Sequence, residues 1–216
     1  MTTDTRGHIM REEAPQTNVM TRETLRSFCD GVFAVIITIM VLELKVPPHP
    51  TFAALYEDWP TALSYAVSYL LIAIMWLNHH FLLRYASDKT SRLMLWTFTH
   101  MFVASLVPFA TAWLAETRLA AVPVFTYAAT ILLVNLAYHG FANEVIGRSS
   151  ADDVARSTRR KALMRSLATM GLFAFAMILA LQAPLVAFAL VTCVLLTYSR
   201  PDIQWLAKSD EPTRRF

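Results

Sequence analysis

Hydrophobic positions in this chain run in long, nearly uninterrupted stretches separated by short polar segments. Six stretches can be delimited: Leu25–Leu44, Ala62–Leu83, Leu93–Leu114, Pro123–Phe141, Leu163–Leu181 and Pro184–Ser199. Each of the first five matches the roughly 20 residues that an α-helix needs to cross a bilayer. The sixth is shorter and is expected to draw on Pro201–Trp205. The pattern predicts an all-α integral membrane protein with six transmembrane helices.

Polar segments at both ends frame this hydrophobic region. Residues 1–20 and 206–216 carry charges without an apolar core, so we interpret them as tails around a transmembrane domain at 21–205. The first twenty residues lack the apolar core of a cleavable signal peptide, and the first helix is expected to act as its own insertion signal. Strands of a closed barrel would be about ten residues long with strict alternation, a pattern that these stretches do not follow.

Positive charge is distributed unevenly around the predicted spans. All but two of the 19 lysine and arginine residues fall on one side, the exceptions being Lys45 and Arg118. Because positive flanks are retained in the cytoplasm during insertion, both termini are predicted to be cytoplasmic. Basic juxtamembrane loops suit contact with anionic lipid headgroups, so we expect membrane lipids, and no nucleic acid, as partners.

The first stretch combines an acidic residue with an apolar stripe. Asp30 lies in the first turn of the segment Phe28–Pro47, and an ionisable residue inside a span is a functional-site hypothesis by default. Val35, Thr38, Ile39 and Leu42 share one helix face, and Asp30 points about 140° away from Val35. The residues alone leave open whether the stripe packs against another helix or lines a permeation path.

The second stretch ends in IAIMWLNHHFLLRY, which places polar side chains at the predicted depth of Asp30. These are Trp76, Asn78, His79 and His80. Buried polar groups need hydrogen-bond partners where water is absent, which favours a network between them and Asp30. Such a network can be structural or can relay protons, and both interpretations stay open.

Three segments together resemble a known family: FCDGVFAVIITIMVLELKVP, SYLLIAIMWLNHHFLLRY and MFVASLVPFATAWLAE. In this order and spacing they resemble the transmembrane protein 175 family, the lysosomal potassium channel and its bacterial single-repeat homologues. The resemblance covers about Thr21–Glu116. It implies a multi-pass protein of a bacterial inner membrane and a homotetramer of six-helix subunits around a central pore lined by the first helix. It implies no enzymatic activity and no cofactor.

The resemblance also assigns roles to the stripe and to the polar residues. It implies that Val35, Ile39 and Leu42 form the hydrophobic constriction, with the Thr38 hydroxyl close to it. Rings of this kind select ions by how readily they shed water. Since the chain has no TVGYG-like segment, we expect a potassium-permeable cation channel with modest selectivity for potassium over sodium.

The family hallmark is arginine, three residues, then Phe-Ser-Asp. Phe28 and Asp30 match it, which implies a structural network of Phe28 and Asp30 with the polar residues Trp76, Asn78, His79 and His80. Cys29 replaces the serine, and Thr24 replaces the arginine between Arg22 and Arg26. A non-conducting structural homologue is therefore one alternative.

Three further alternatives were weighed. A proton channel of the same fold could use Asp30 and the histidine pair. A secondary transporter would be expected to have broken helices near the midplane, where Pro108 is the exception among prolines that otherwise lie in loops or at span ends. A membrane metalloenzyme would require His79, His80, His100 and His139 to converge with carboxylates; the spacing does not support this, and no metal is expected.

Overall fold

The computed structural model describes residues 22–86, 90–148 and 156–198, in which every regular element is helical. This confirms the all-α prediction. The helices are α1 (Arg22–Ile39), α2 (Phe52–Glu57), α3 (Trp59–Leu83), α4 (Ser91–Ala104), α5 (Val107–Glu116), α6 (Ala121–Arg148), α7 (Arg156–Ala180) and α8 (Pro184–Tyr198), and a 3-10 turn at Met40–Glu43 extends α1.

Within the described residues, five segments are long and apolar enough to cross a membrane: Glu23–Glu43, Trp59–Leu83, Ser91–Glu116, Ala121–Gly147 and Leu163–Ala180. They coincide with the first five predicted spans. The sixth stretch forms α8, an apolar helix of 15 residues that is shorter than a full span. Its predicted extension over Pro201–Trp205, and the tails at 1–20 and 206–216, lie outside the described residues.

The third span is built from two helices. Helix α4 ends at Ala104, and α5 begins at Val107 with Pro108 in its first turn. Pro108 has no backbone N–H, and its ring would clash with the carbonyl group of Ala104 in a continuous helix. The break therefore follows from one residue.

Helix α6 is the centre of the bundle. It packs against α4, α5, α7 and α8, and more lightly against α3. The largest buried side chains include Tyr127 and Phe141 of α6 and Phe173 of α7. Helix α1 lies at the side of this core and packs on α3 and α4 through Leu25, Cys29, Phe33 and Ile36, and Met40 of the 3-10 turn is also buried.

A buried chain of hydroxyl groups joins α3, α5 and α6. Ser68 Oγ lies 2.9 Å from Tyr127 Oη and 2.7 Å from Thr111 Oγ1, and Thr111 also lies 2.8 Å from the Val107 carbonyl oxygen. Each hydroxyl group has one proton to donate. The proton of Thr111 is shared between Ser68 Oγ and the Val107 carbonyl oxygen, and either Ser68 or Tyr127 donates in the bond between them. These bonds link α3, α5 and α6.

Candidate functional site

Helix α1 divides into a buried face and an exposed face. The buried residues recur every three or four positions and face α3 and α4. On the opposite side, Val35 is 55% exposed, Ile39 43% and Leu42 74%, and Thr38 is also exposed. The described residues of the chain therefore leave an apolar surface on α1 and the turn after it uncovered.

The hydroxyl group of Thr38 turns back toward its own helix. Its Oγ1 atom lies 2.9 Å from the Ala34 carbonyl oxygen and 3.0 Å from that of Val35, so its proton is donated to the backbone. The lone pairs of Oγ1 remain as acceptors. The one polar group of the exposed stripe can therefore offer an oxygen to a cation.

The 3-10 turn after α1 aligns the end of the stripe. Ile39 is the last α-helical residue, and Leu42 lies within Met40–Glu43. A 3-10 helix has about three residues per turn, so side chains three apart stand above one another. Leu42 consequently continues the line of Ile39 toward the end of the span.

Asp30 connects α1 to α3 through two side chains. Trp76 Nε1 donates a 2.7 Å hydrogen bond to Asp30 Oδ1, and His80 Nδ1 lies 3.1 Å from the same oxygen. Trp76 and His80 are four residues apart, on one face of α3. The carboxylate thus has two partners at the contact between the first two spans.

Arg26 fixes the tautomer of His80. Its guanidinium Nη2 contacts His80 Nε2. Arginine can only donate, so Nε2 accepts, and in the neutral ring Nδ1 then carries the proton that is donated to Asp30. The hydrogen bonds run from Arg26 to His80 to Asp30. Sequence reasoning did not include Arg26 in the network, although its position four residues before Asp30 puts both on one helix face.

The remaining residues of the predicted network lie elsewhere. Phe28 is exposed and packs edge-on against Phe98 of α4, with ring centroids 5.7 Å apart. Asn78 lines a small cavity between α3, α4, α6, α7 and α8. His79 is buried and stacks on Phe141 at 4.3 Å. The structure therefore brings Asp30, Trp76 and His80 together, and Phe28, Asn78 and His79 make other contacts.

The histidines proposed for a metalloenzyme do not converge. His80 contacts Asp30, and the rings of His79 and His100 stack with centroids 5.2 Å apart. His139 lies 3.0 Å from Ser166 Oγ and accepts from Asn143 Nδ2 at 2.8 Å. In the part of the chain that the structure describes, no three His, Cys, Asp or Glu side chains are grouped to hold a metal ion.

An ion pair ties the far end of the first span to that of the third. Lys45 Nζ, just beyond the 3-10 turn, donates to Glu116 Oε1 at the end of α5. The adjacent carboxylate raises the pKa of Lys45 above its usual value. Both side chains are exposed, so the ion pair contributes little to stability, although it connects the ends of the first and third spans.

Several known proteins are similar to this chain in sequence. A sequence profile described as "Endosomal/lysosomal potassium channel TMEM175" matches residues 24–108. A potassium channel of Chryseobacterium sp. strain P1-3 is 41% identical over 128 residues, which cover 59% of this chain and 66% of that protein. The endosomal/lysosomal proton channel TMEM175 of Danio rerio is 30% identical over 100 residues, covering 40% of this chain and 19% of that protein.

A solved structure shares the fold. The crystal structure of a lysosomal potassium-selective channel TMEM175 homolog from Chamaesiphon minutus superposes with a TM-score of 0.72 at 24% sequence identity. The similarity covers 88% of this chain and 98% of that one.

The fold and the site define an α-helical, multi-pass membrane protein whose first helix is tied to the second by a polar cluster and leaves an apolar stripe uncovered. The chain belongs to the TMEM175 family.

Proposed function

We propose that this chain forms a potassium-permeable cation channel, in which four identical subunits surround a pore lined by α1. The observation that carries the proposal is the exposed stripe of Val35, Thr38, Ile39 and Leu42. Four copies that meet around an axis would turn this face, with its Thr38 hydroxyl group, toward a common pore. The names of the relatives support it, since the Chryseobacterium protein is named a potassium channel.

The proposed mechanism depends on partial dehydration. Four copies of Val35, Ile39 and Leu42 would form successive rings of branched aliphatic side chains, and such rings gate by dewetting. An ion that enters must give up part of its water. Potassium holds its hydration shell less tightly than sodium, and four Thr38 oxygens would replace some of the lost ligands. The selectivity expected from side chains of this kind is modest.

Reversal potentials test the proposal. The purified chain is reconstituted into liposomes with potassium on one side and sodium on the other, and we expect a shift that favours potassium. The absence of a shift, or a shift that favours sodium, would contradict the proposed selectivity.

A matched pair of variants tests the pore face. Ile39→Asn places an amide on the stripe, and Ile178→Asn places the same amide on α7, where Ile178 is 63% exposed near the end of its own span. We expect Ile39→Asn to change conductance or selectivity and Ile178→Asn to leave both unchanged. Equal conductance and selectivity of the two variants would contradict a pore lined by the stripe, and absence of flux from the wild type as well would favour a non-conducting homologue.

The assembly and topology belong to the same proposal. Single-particle imaging along the symmetry axis would reveal whether four α1 helices surround a pore. The charge distribution supports cytoplasmic termini in a cell membrane, that of a bacterium by resemblance. Reporter fusions after residue 216 test the orientation, and an extracytoplasmic reporter would contradict it.

Proton conduction is the second candidate. A specific observation favours it: His80 and Asp30, both ionisable, are hydrogen-bonded at the contact of the first two spans. The zebrafish relative is named a proton channel. A pH-sensitive dye trapped in the liposomes separates the two functions, since proton flux acidifies or alkalises the lumen in the absence of any potassium gradient.

A further inference from the structure

A small, partly open cavity of about 30 Å³ lies between α3, α4, α6, α7 and α8. Its polar lining consists of Asn78, His100, Asn135, Tyr138 and Thr169, and the other lining residues are apolar. No residue of α1 lines it. The cavity is thus separate from both the stripe and the Asp30 cluster.

Among the described residues, His100 is the buried lining residue whose hydrogen-bonding groups are unsatisfied. Its side chain is fully buried, and neither ring nitrogen has a hydrogen-bond partner among the described residues. Its ring stacks almost parallel on His79, at an interplanar angle of 9°. Stacking holds the ring without satisfying its nitrogens. Buried polar atoms are rarely left unpaired, because their lost hydration must be replaced.

The hydrogen-bonding capacity of the lining is mixed. Asn135 Nδ2 donates to the Ile131 carbonyl oxygen at 2.9 Å, which leaves its Oδ1 as an acceptor. Thr169 Oγ1 donates to the Arg165 carbonyl oxygen at 2.9 Å and likewise keeps its lone pairs. A neutral imidazole adds one donor and one acceptor, and the Asn78 amide adds both kinds.

This mixture points to one class of ligand. An anion would face the acceptors of Asn135 and Thr169, and a cation would face the donors of Asn78 and His100. Water donates and accepts at once, and each molecule needs about 10–15 Å³ of such space and two to four polar partners. We propose that the cavity is a hydration site, where about two ordered waters bond to His100 and to the amide and hydroxyl groups around it.

Water at this site would give the ring nitrogens of His100 hydrogen-bond partners, away from the proposed pore. It also joins α4 to α6 and α7 by bonds that the protein atoms alone do not make. The inference does not depend on ion conduction, so it stands or falls separately from the proposed function.

Hydroxyl-radical labelling by X-ray radiolysis tests the site in the purified full chain, because radicals formed from bound water oxidise the side chains beside it. Met75 lines the cavity and is 6% exposed, and Met101 is 5% exposed but does not line it. We expect several-fold faster oxidation of Met75 than of Met101, read by mass spectrometry. Equal rates would overturn the proposal.

Two variants ask whether the polar lining holds the water. His100→Phe keeps a stacking ring and removes both nitrogens, and Asn135→Leu removes the amide acceptor. In variants that elute as the wild type on size exclusion, Met75 labelling should fall to the rate of Met101. If His100→Phe does not fold, Asn135→Leu carries the test. Undiminished labelling in the folded variants would mean that bulk solvent oxidises Met75, and the proposal would be wrong.

Discussion

The indole Nε1 of Trp76 donates a 2.7 Å hydrogen bond to the carboxylate of Asp30. The same carboxylate oxygen accepts a hydrogen bond from His80 Nδ1, and His80 Nε2 accepts one from Arg26. An acidic group engaged in this way orients one helix against the next. Asp30 therefore acts as a hydrogen-bond acceptor between the first two spans, and the stripe beyond it stays exposed.

The role of Asp30 predicts a difference between two substitutions. Asp30→Asn keeps an oxygen acceptor for Trp76 and should cost less than about 1 kcal/mol of unfolding free energy. Asp30→Leu leaves the donors of Trp76 and His80 unpaired and should cost about 2 kcal/mol. Denaturant or thermal unfolding in detergent measures both. Equal losses would show that the charge, and not the acceptor, is what the site requires.

Thr38 is expected to affect permeation through its oxygen. Thr38→Val keeps the shape and removes the lone pairs, so potassium conductance and the preference over sodium should both fall. Thr38→Ser keeps the oxygen and should remain close to the wild type. Reversal potentials and flux in the liposome assay measure the difference. If the valine variant retains full selectivity, the hydroxyl group of Thr38 makes no contribution to selectivity.

Gly140 allows α6 to approach α4. A Cβ atom at this position would lie 2.5 Å from the Trp96 ring, so Gly140→Ala should force the helices apart and cost about 1–3 kcal/mol. Gly171 provides the control. A Cβ atom there meets nothing within 4 Å, and Gly171→Ala should be neutral or stabilising by up to about 1 kcal/mol. Melting temperatures of the two variants should shift in opposite directions or, at the least, differ clearly.

Arg118 occupies a backbone conformation that favours glycine. Its φ is 49°, and the bonds from Leu119 N to Leu114 O and from Arg118 N to Ala115 O form a Schellman motif at the end of α5. Arg118→Gly should therefore stabilise the protein by up to about 1 kcal/mol. Arg84→Gly, at a φ of −63°, should destabilise it instead. A loss of stability in Arg118→Gly would contradict this account.

Much of the fold could be predicted because its signals are local. The lengths of the first five stretches match a bilayer without reference to any neighbour. The sequence predicts the third stretch as one helix, and only the structure reveals the break before Pro108. The sixth stretch is harder, because α8 is 15 residues long and its length alone does not decide whether it crosses. The family resemblance rested on short segments of the first three spans, and the profile match covers the same region.

The sequence by itself determined the helical stretches, the stripe that ends at Leu42 and the common depth of Asp30 and Trp76, since periodicity and hydropathy depend only on neighbours along the chain. Only the tertiary structure decided which of two adjacent histidines meets Asp30. His80 does, with Arg26 behind it, and His79 turns to His100 in the core. Adjacent side chains on a helix point about 100° apart, so their partners depend on how α1, α4 and α6 pack around α3.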